Sequence, residues 1–343
     1  MTPADLSRCV VRAVRCAVAD GELAAGAAAP ERVVVERTRP GGVGDYATPV
    51  AFQVAKAAGC PPRGVADVLA RRLGAEPGIE RVEVTGAGFL NFVLPAPSAP
   101  AVVADVIGRD VRGRAVRTVH GDESGLGPRE RVVRRSVLRL LCVQGEIGSV
   151  RTPAAPAAST GVLTSPDSAA PAPAIAVTVA PVAQRDGDVV ARYGADAARW
   201  AMLATPARET PSFSDLLLHQ GEASEFFRVR YAHARSRALV RNAEQLGFRP
   251  EAGEVGDAAA LLRLLADHPL VLEAAAHHRA PERLVRHLVE LADALLDFQY
   301  RVLPRGDEKP SAAHRARLAL AEAAGTVLAG GLALLGLDAP ERL

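Results

Sequence analysis

Apolar residues in the first hundred positions change their spacing several times. Valines at helical spacing over 10–18 predict a first helix, and a β-branched run at 32–36 predicts a strand. Two further helices are predicted to end at Gly59 and Gly74. The stretch 82–94 is apolar and β-branched around a short glycine-containing turn, a pattern typical of two paired strands. These elements predict a compact α+β domain.

Beyond residue 190 the apolar spacing is helical almost throughout. Helices are predicted over 195–203, 213–239 continuing toward 246, 258–266, 281–302 and 312–335. In the fourth of these helices one apolar stripe recurs at steps of four, three, four and three residues: Leu284, Leu288, Leu291, Leu295 and Phe298. The second half of the chain is therefore predicted to be an α-helical bundle.

Between these halves, apolar residues have neither the spacing of a helix nor that of a strand. Residues 152–181 are almost entirely Ala, Pro, Ser, Thr and Val, with Asp167 as the one charged residue. Such a stretch buries too little apolar area to order itself, and we expect a flexible linker. The predicted fold class is multidomain, with an α+β module over 1–112, a short stretch over 113–151, the linker over 152–185 and the helical domain over 186–343.

Composition narrows the classes of function. Hydrophobic residues make up 49% of the chain but aromatics only 4%, so we expect cores of Leu, Val and Ala on helices. The net charge of +2 is too small to hold nucleic acid by bulk charge, and any RNA contact requires a local patch. All basic residues except Lys56 and Lys309 are Arg, which indicates a GC-rich genome first and bidentate phosphate contacts second.

Several kinds of site are not predicted. The four cysteines, Cys9, Cys16, Cys60 and Cys142, are scattered, which is typical of reduced thiols in a cytoplasmic protein without a metal site. No signal core and no apolar run of the ~18 residues that span a bilayer are present, so no membrane partner is expected. The glycines of 121–127 lack the Lys and Ser/Thr of a phosphate loop, and no cofactor is predicted.

Two motifs in the first half belong together. Gly44-Asp45-Tyr46-Ala47-Thr48, followed later by Gly88-Phe89-Leu90-Asn91-Phe92, resembles the N-terminal additional domain of arginyl-tRNA synthetases, with Pro49 where Asn is common. The resemblance implies a domain that approaches the tRNA elbow and reads the D-loop, with Asn91 and Phe92 as its contact residues. Asn is disfavoured in strands unless its amide finds partners, so a turn or edge role for Asn91 stays open.

Three segments of the second half resemble the same family. Tyr193–Trp200 (YGADAARW) is similar to the segment that leaves the family's catalytic domain, and Tyr231–Arg235 (YAHAR) is similar to the signature of its DALR anticodon-binding domain. Residues 334–343 resemble the family's C-terminal tail, with Leu343 in place of the usual Met. The resemblance implies a helical domain that binds the anticodon stem-loop.

The helix that carries the YAHAR signature presents arginines in two stripes. At ~100° per residue, Arg230, Arg237 and Arg241 share one stripe, and Arg228 and Arg235 share another near Tyr231. Arginines beside an aromatic ring suit phosphates and a stacked base, although a solvated face and a core position for Tyr231 are the ordinary alternatives. The candidate tRNA-binding residues of this domain are Arg228, Arg230, Tyr231, Arg235, Arg237, Arg241 and Leu343. For His233 a hydrogen bond within the bundle is expected.

The middle of the chain lacks what the resemblance requires for catalysis. Class I synthetases bind ATP phosphates with an HxGH tetrapeptide and stabilise pyrophosphate with a lysine-bearing loop, and neither is present. If Gly145 is aligned with the glycine after the family's first catalytic helix, the tetrapeptide falls on Ser124-Gly125-Leu126-Gly127. Residues 113–151 are at most a catalytic-domain remnant, and we expect no enzyme and no catalytic residue.

These observations favour a non-catalytic tRNA-binding protein that contacts the tRNA elbow and the anticodon stem-loop. The expected partner is a tRNA, with arginine tRNA as the candidate that the resemblance suggests. The alternative is a protein-interaction regulator of a synthetase or a metabolic enzyme, and an arginine–tRNA ligase-like enzyme is the least favoured. The discriminating feature is whether the arginine stripes are open to solvent beside Tyr231 or capped by acidic residues.

Overall fold

The computed structural model describes residues 3–24, 26, 30, 33–38, 42–95, 98–108, 123, 125–144 and 177–343. The chain divides into two compact units, residues 1–96 and 97–343.

The first unit is a four-stranded antiparallel sheet with three helices. Strands β1 (Glu36–Arg37), β2 (Tyr46–Thr48), β3 (Arg81–Thr85) and β4 (Phe89–Val93) lie in the order β1-β2-β4-β3. The helices are α1 (Pro3–Ala19), α2 (Val50–Ala58) and α3 (Pro62–Leu73). The predicted helices and the β3–β4 pair are confirmed. Strand β1 shares only Glu36 with the strand predicted at 32–36, and β2 was not predicted at all.

The core of this unit follows from the two periods of its sequence. Leu6, Val10 and Val14 recur at helical spacing on α1, and Leu90 and Phe92 alternate on β4. All five have 0% exposed surface. Helix α1 packs on α3, and α3 packs on β3 and β4, so the burial of these side chains stabilises the unit.

The two motifs of the first half meet at β4. Gly44 has a φ of 75°, and a Cβ there would lie 2.6 Å from the carbonyl oxygen of Phe92, so only glycine fits. The next residue, Asp45, donates its backbone N–H to that oxygen at 2.7 Å and accepts from the Leu94 N–H at 2.8 Å through its carboxylate. The contact between the two motifs therefore contributes to the structure of the sheet.

The second unit is a helical bundle, as the apolar spacing predicted. Its helices are α4 (Ala99–Gly108), α5 (Pro128–Gln144), α6 (Val189–Tyr193), α7 (Ala195–Ala204), α8 (Glu225–Gln245), α9 (Ala259–His277), α10 (Pro281–Phe298) and α11 (Ala312–Leu335), with 3₁₀ turns at Gln184–Asp186, Asp215–Leu218 and Gln299–Arg301. Helix α11 packs against α4, α5, α8, α9 and α10. Close approach of α8 and α11 depends on Gly325, where a side chain would clash with Ser236, whose hydroxyl donates to the Ala321 carbonyl at 2.8 Å.

Two helix bounds differ from the prediction. Helix α8 begins at Glu225 rather than near 213, because Ser224 caps it by accepting from the Phe227 N–H at 3.3 Å. Helix α9 continues past 266 to His277 with Pro269 inside it. Residues of α9 that follow Pro269, such as Leu272, are buried. The free energy gained by their burial outweighs the loss of the hydrogen bond that proline cannot donate.

The boundary between the units also lies elsewhere than predicted. Helix α4, expected in the first module, buries Val102, Val103 and Val106 in the core of the second unit. Helix α5, which occupies part of the stretch 113–151, packs on α7, α9 and α11. Residues 177–185 of the predicted linker lie against the bundle, where the Ala180 N–H donates to the Ala207 carbonyl at 2.8 Å. The remainder of that linker lies outside the described residues.

Among the described residues, α11 alone is long and apolar enough to cross a membrane by length and composition. Of its most apolar window, 83% is buried inside the bundle. A core helix satisfies the same criterion.

Candidate nucleic-acid interface

An aromatic pair lies at the surface of α8. Phe227 and Tyr231 are four residues apart, which places them on one face of the helix. Their rings stack with centroids 5.6 Å apart and an angle of 11° between planes. Tyr231 is 39% exposed, so the sequence alternative in which it is a core residue does not apply. An exposed aromatic surface of this kind suits an unpaired base.

Arg228 is held by the neighbouring helix α10. Its Nε donates to the carboxylate of Asp293 at 2.8 Å, and one Nη donates to the carbonyl of Glu222 at 2.6 Å. The guanidinium is mostly shielded from solvent. This arginine connects α8 to α10 and is the most firmly fixed of the predicted contact residues.

Two further arginines of α8 have uncharged partners. The guanidinium of Arg230 lies 5.2 Å from the ring centroid of Phe226, a cation–π contact. Arg235 donates from Nε to the side-chain oxygen of Gln299 at 2.6 Å. Within the described part of the chain the Nη groups of Arg235 have no protein partner, so they are available to a phosphate beside Tyr231.

Arg237 and Arg241 meet the last residues of the chain, the segment 336–343, which we call the tail. Arg237 Nε donates to the Glu341 carboxylate at 3.2 Å, and Arg241 Nη2 donates to the Glu341 carbonyl at 3.3 Å. Leu343 is exposed. The predicted Arg230–Arg237–Arg241 stripe is thus partly covered by the tail.

The tail has other anchors on the bundle. His233 is buried, and its Nδ1 lies 3.0 Å from the Pro340 carbonyl. A carbonyl can only accept, so Nδ1 carries the proton and donates. The structural role expected for His233 is confirmed. At the other end of the tail, Arg199 donates to the Gly336 carbonyl, and Asp196 accepts from the Asp338 N–H at 3.3 Å.

The predicted residues of α8 therefore form two groups. Arg228, Tyr231 and Arg235 lie on the side of α10 and Gln299, and Arg237 and Arg241 lie under the tail. Carboxylates cap Arg228 and Arg237, whereas the other three arginines have uncharged partners. The arginine stripes of α8 are therefore neither fully open to solvent nor fully capped by acidic residues.

In the first unit the motif residues point elsewhere than expected. Asn91 is buried, and its amide donates to the Thr85 hydroxyl at 2.8 Å and to the Glu83 carbonyl at 3.3 Å, which ties the β3–β4 hairpin together. Phe92 has no exposed surface and fills the core, so as folded its ring does not reach an RNA. Phe89, which the sequence did not single out, is 45% exposed and meets the Phe52 ring edge-on at 5.1 Å.

A buried arginine that the sequence did not indicate holds the bundle together. Arg129 of α5 is 1% exposed and lies in line with the apolar residues of its helix. It donates to carbonyls in the last turn of α7, beyond the end of that helix and on residue 180: Met202 at 3.2 Å, Ala180 at 2.8 Å, Thr205 at 2.9 Å, Pro206 at 3.0 Å, Ala207 at 3.5 Å and Glu209. Burial lowers the pKa of this guanidinium, and Glu282 and Glu209 act in the opposite sense.

Buried histidines form a second polar element of the bundle. The rings of His268 and His287 stack with centroids 5.3 Å apart. Burial lowers the pKa of His268 to about 3, with a contribution from His287, and burial lowers the pKa of His287 to about 4. Both are neutral at pH 7. In the described ranges no three His, Cys, Asp or Glu side chains lie together as a metal site, and all four cysteines are free.

Comparisons with known proteins agree with this division of the chain. Residues 8–94 match the family described as arginyl tRNA synthetase N terminal domain. Residues 229–343 match the family described as DALR anticodon binding domain. The first match contains the Gly44 and Phe89 motifs, and the second contains most of α8 together with the tail.

Full-length relatives show the same relationship. An arginine–tRNA ligase of Frankia alni is 28% identical over 555 aligned positions that cover all of both chains. Since this chain has 343 residues, a long part of that relative faces a gap. The arginyl-tRNA synthetase structure of Thermus thermophilus matches with a TM-score of 0.55 and 14% identity over all of both chains, a similarity of fold. Residues 8–94 are therefore similar to the arginyl-tRNA synthetase N-terminal domain and residues 229–343 to the DALR anticodon-binding domain, and the whole chain is similar to an arginine–tRNA ligase.

Proposed function

We propose that this protein is a non-catalytic tRNA-binding protein whose helical unit binds the anticodon stem-loop. The observation that carries the proposal is the Phe227–Tyr231 stack on α8, in which Tyr231 is exposed, beside the Nη groups of Arg235, which have no protein partner among the described residues. A stacked ring takes an unpaired base and a guanidinium takes the phosphate next to it. The match of 229–343 to an anticodon-binding family supports an anticodon loop as the ligand.

The first unit adds a second contact in this proposal. Phe89 is its exposed aromatic residue, and it replaces Phe92 as the side chain that meets a base of the tRNA elbow. Asn91 supports the hairpin that presents Phe89. Because the two units share one chain, the binding of one raises the effective concentration of the other on the same tRNA. Arginine tRNA is the expected RNA, since the N-terminal family match names arginyl-tRNA synthetase and the full-length relative is an arginine–tRNA ligase.

The absence of catalysis is part of the proposal. The sequence contains no HxGH tetrapeptide, the element on which this class of synthetase relies for the ATP phosphates. The long gap opposite the Frankia alni ligase supports the same conclusion. Helix α5, in the stretch expected as a catalytic remnant, packs into the bundle instead.

A second candidate function is a protein-interaction regulator of a synthetase or metabolic enzyme. The observation that favours it is the capping of Arg228 by Asp293 and of Arg237 by Glu341. Arginines already neutralised by carboxylates attract a phosphate backbone less strongly.

The test is a fluorescence titration of the full chain with an arginine tRNA transcript and a second tRNA at several salt concentrations. The Arg235→Ala/Arg237→Ala variant is expected to bind roughly tenfold more weakly at low salt and with a smaller salt slope. Arg263→Ala is the matched control, because Arg263 is exposed on α9 and away from α8 in sequence. It should change affinity little.

The other outcomes are equally informative. If wild-type protein binds neither tRNA at low salt, the RNA-binding proposal is abandoned in favour of a protein partner. An aminoacylation assay with ATP, arginine and the same transcript is expected to give no charged tRNA, and charging above the enzyme-free background would refute the non-catalytic assignment.

A further inference from the structure

Two arginines of α8 converge on one residue of the tail. Arg237 and Arg241 are one turn apart, and they donate to the carboxylate and to the carbonyl of Glu341 at 3.2 and 3.3 Å. One acidic residue thus occupies both guanidinium groups with two oxygen atoms. A phosphodiester group also presents oxygen acceptors to a pair of arginines, and it carries the negative charge that the Glu341 carboxylate supplies.

The Glu341 contact is the exchangeable part of the tail. The Glu341 side chain is 62% exposed and that of Arg237 is 34% exposed, so their ion pair is weak in water. The anchors at Pro340, Asp338 and Gly336 do not involve the Glu341 side chain. The Glu341 carboxylate can therefore leave Arg237 while the tail stays attached.

We propose that Arg237 and Arg241 form one anion site that Glu341 and a backbone phosphate of bound RNA occupy in turn, so that the tail is an internal competitor of RNA. The inference rests on the proposed function and adds its regulation. In the free protein Glu341 keeps the arginines satisfied, and RNA enters only by displacing its carboxylate. The tail then discriminates against weakly bound, non-specific polyanions.

Removing the charge of Glu341 measures the competition directly. Glu341→Gln keeps the shape of the side chain but exchanges the ion pair for a neutral contact. We expect tRNA to bind this variant about two- to five-fold more tightly at low salt, the range of a displaced surface ion pair. Glu341→Asp keeps the charge and should gain much less.

The gain must be separated from the general effect of losing a negative charge. Glu254→Gln is the matched control, because Glu254 is exposed and follows Gly253, which lies beside Ala316 near the start of α11. The tail runs back along α8 beside His233, Arg237 and Arg241, and among the described residues no hydrogen bond or ion pair joins Glu254 to these arginines. Glu254→Gln therefore reports the long-range charge effect alone.

The experiment titrates a labelled arginine tRNA transcript with the full chain, each glutamate variant, and Glu341→Gln in an Arg237→Ala/Arg241→Ala background. The inference requires a gain for Glu341→Gln above that for Glu254→Gln, and loss of that gain in the double-arginine background.

Two results overturn it, and they are distinguishable. If wild type binds the transcript and Glu341→Gln gains no more than Glu254→Gln, the competition is refuted while the RNA-binding proposal stands. If neither wild type nor Glu341→Gln binds, both fail. Melting followed by Trp200 fluorescence, with Trp200 buried in the core of the second unit, verifies that each variant is folded.

Discussion

Arginines lie both in the interior of the bundle and on the exposed face of α8, but in opposite environments. Arg129 is almost completely buried, and backbone carbonyls from residues 180 to 209 surround its guanidinium. Arg237 lies at the surface and has one side-chain partner, Glu341, which is itself mostly exposed. The buried group has no water to replace a lost partner, whereas the surface group exchanges partners freely.

The two environments distinguish arginines that stabilise the fold from arginines that are available to bind a ligand. The criterion is how many partners a group has and how much water reaches it. Arg228 lies between the extremes, with Asp293 and the Glu222 carbonyl around it.

The largest effect is expected for Arg129→Ala. The substitution removes the donor shared by carbonyls around the end of α7, which lie in a buried or partly buried environment. We expect the free energy of unfolding of the second unit to fall by about 3–5 kcal/mol. The measurement is urea denaturation followed by the fluorescence of Trp200, the single tryptophan of the chain.

Two variants sharpen this result. Arg129→Lys restores the charge but not the planar fork of donors, and it should recover only part of the loss. Arg135→Ala on the same helix removes an arginine that is half exposed and pairs with Glu123, and it should cost less than about 1 kcal/mol. Equal losses for Arg129→Ala and Arg135→Ala would contradict the distinction between interior and surface.

A smaller effect is expected from acid, through His268 and His287. Their pKa values, about 3 and about 4 when folded, lie below the ordinary value of 6.5, so the unfolded chain binds more protons below pH 6.5. Stability therefore falls as pH falls from 6.5 toward 4. At 1.36 kcal/mol per pKa unit, each histidine costs about 2 kcal/mol at pH 5.

The check compares wild type with a His268→Leu/His287→Leu variant at pH 7.5 and pH 5. The His268 Nδ1 and the His287 Nε2 have no hydrogen-bond partner among the described residues, so leucine should be tolerated at neutral pH. The variant should lose less stability on acidification than wild type does. Identical losses would show that the histidines do not limit acid stability.

Local sequence patterns predicted much of the fold but few of the contacts between residues that are distant in sequence. The predicted bounds of helix α11, 312–335, match the structure because Ser311 caps its start and Gly336, with a φ of 73°, ends it. Strand β2 was missed because it is three residues long and owes its place to pairing with the distant β4. The arginine stripes of α8 follow from helix geometry alone, but their partners lie 65 and 104 residues away in sequence.

For the same reason the sequence could not separate interior from surface arginines. Arg129 looks like any other basic residue of α5 until the carbonyls 51 to 80 positions away are brought around it. Its one local signal is its alignment with Val133 and Val137 on the buried face of the helix. Likewise, Phe92 and Phe89 are both aromatic residues of β4, and only the packed sheet shows that the first is buried and the second exposed.

An intermediate effect is expected for Arg228→Ala. The change removes the connection between α8 and Asp293 of α10, which is only partly exposed to solvent. We expect a loss of about 1 kcal/mol in the free energy of unfolding. A double-mutant cycle with Asp293→Ala should recover most of that energy as coupling, and additive losses would show that the pair is no stronger than an isolated surface contact.

The smallest effect on stability and the clearest effect on RNA are expected for Tyr231→Ala. The ring is partly exposed and stacks on Phe227, so its loss should cost at most about 1 kcal/mol of stability. Loss of a base-stacking ring costs about 1–3 kcal/mol of binding, at least a five-fold weaker affinity for the arginine tRNA transcript. Tyr231→Phe keeps the ring and should bind like wild type. If Tyr231→Ala binds like wild type as well, the exposed stack is not the RNA contact, and the surface of α8 belongs to another partner.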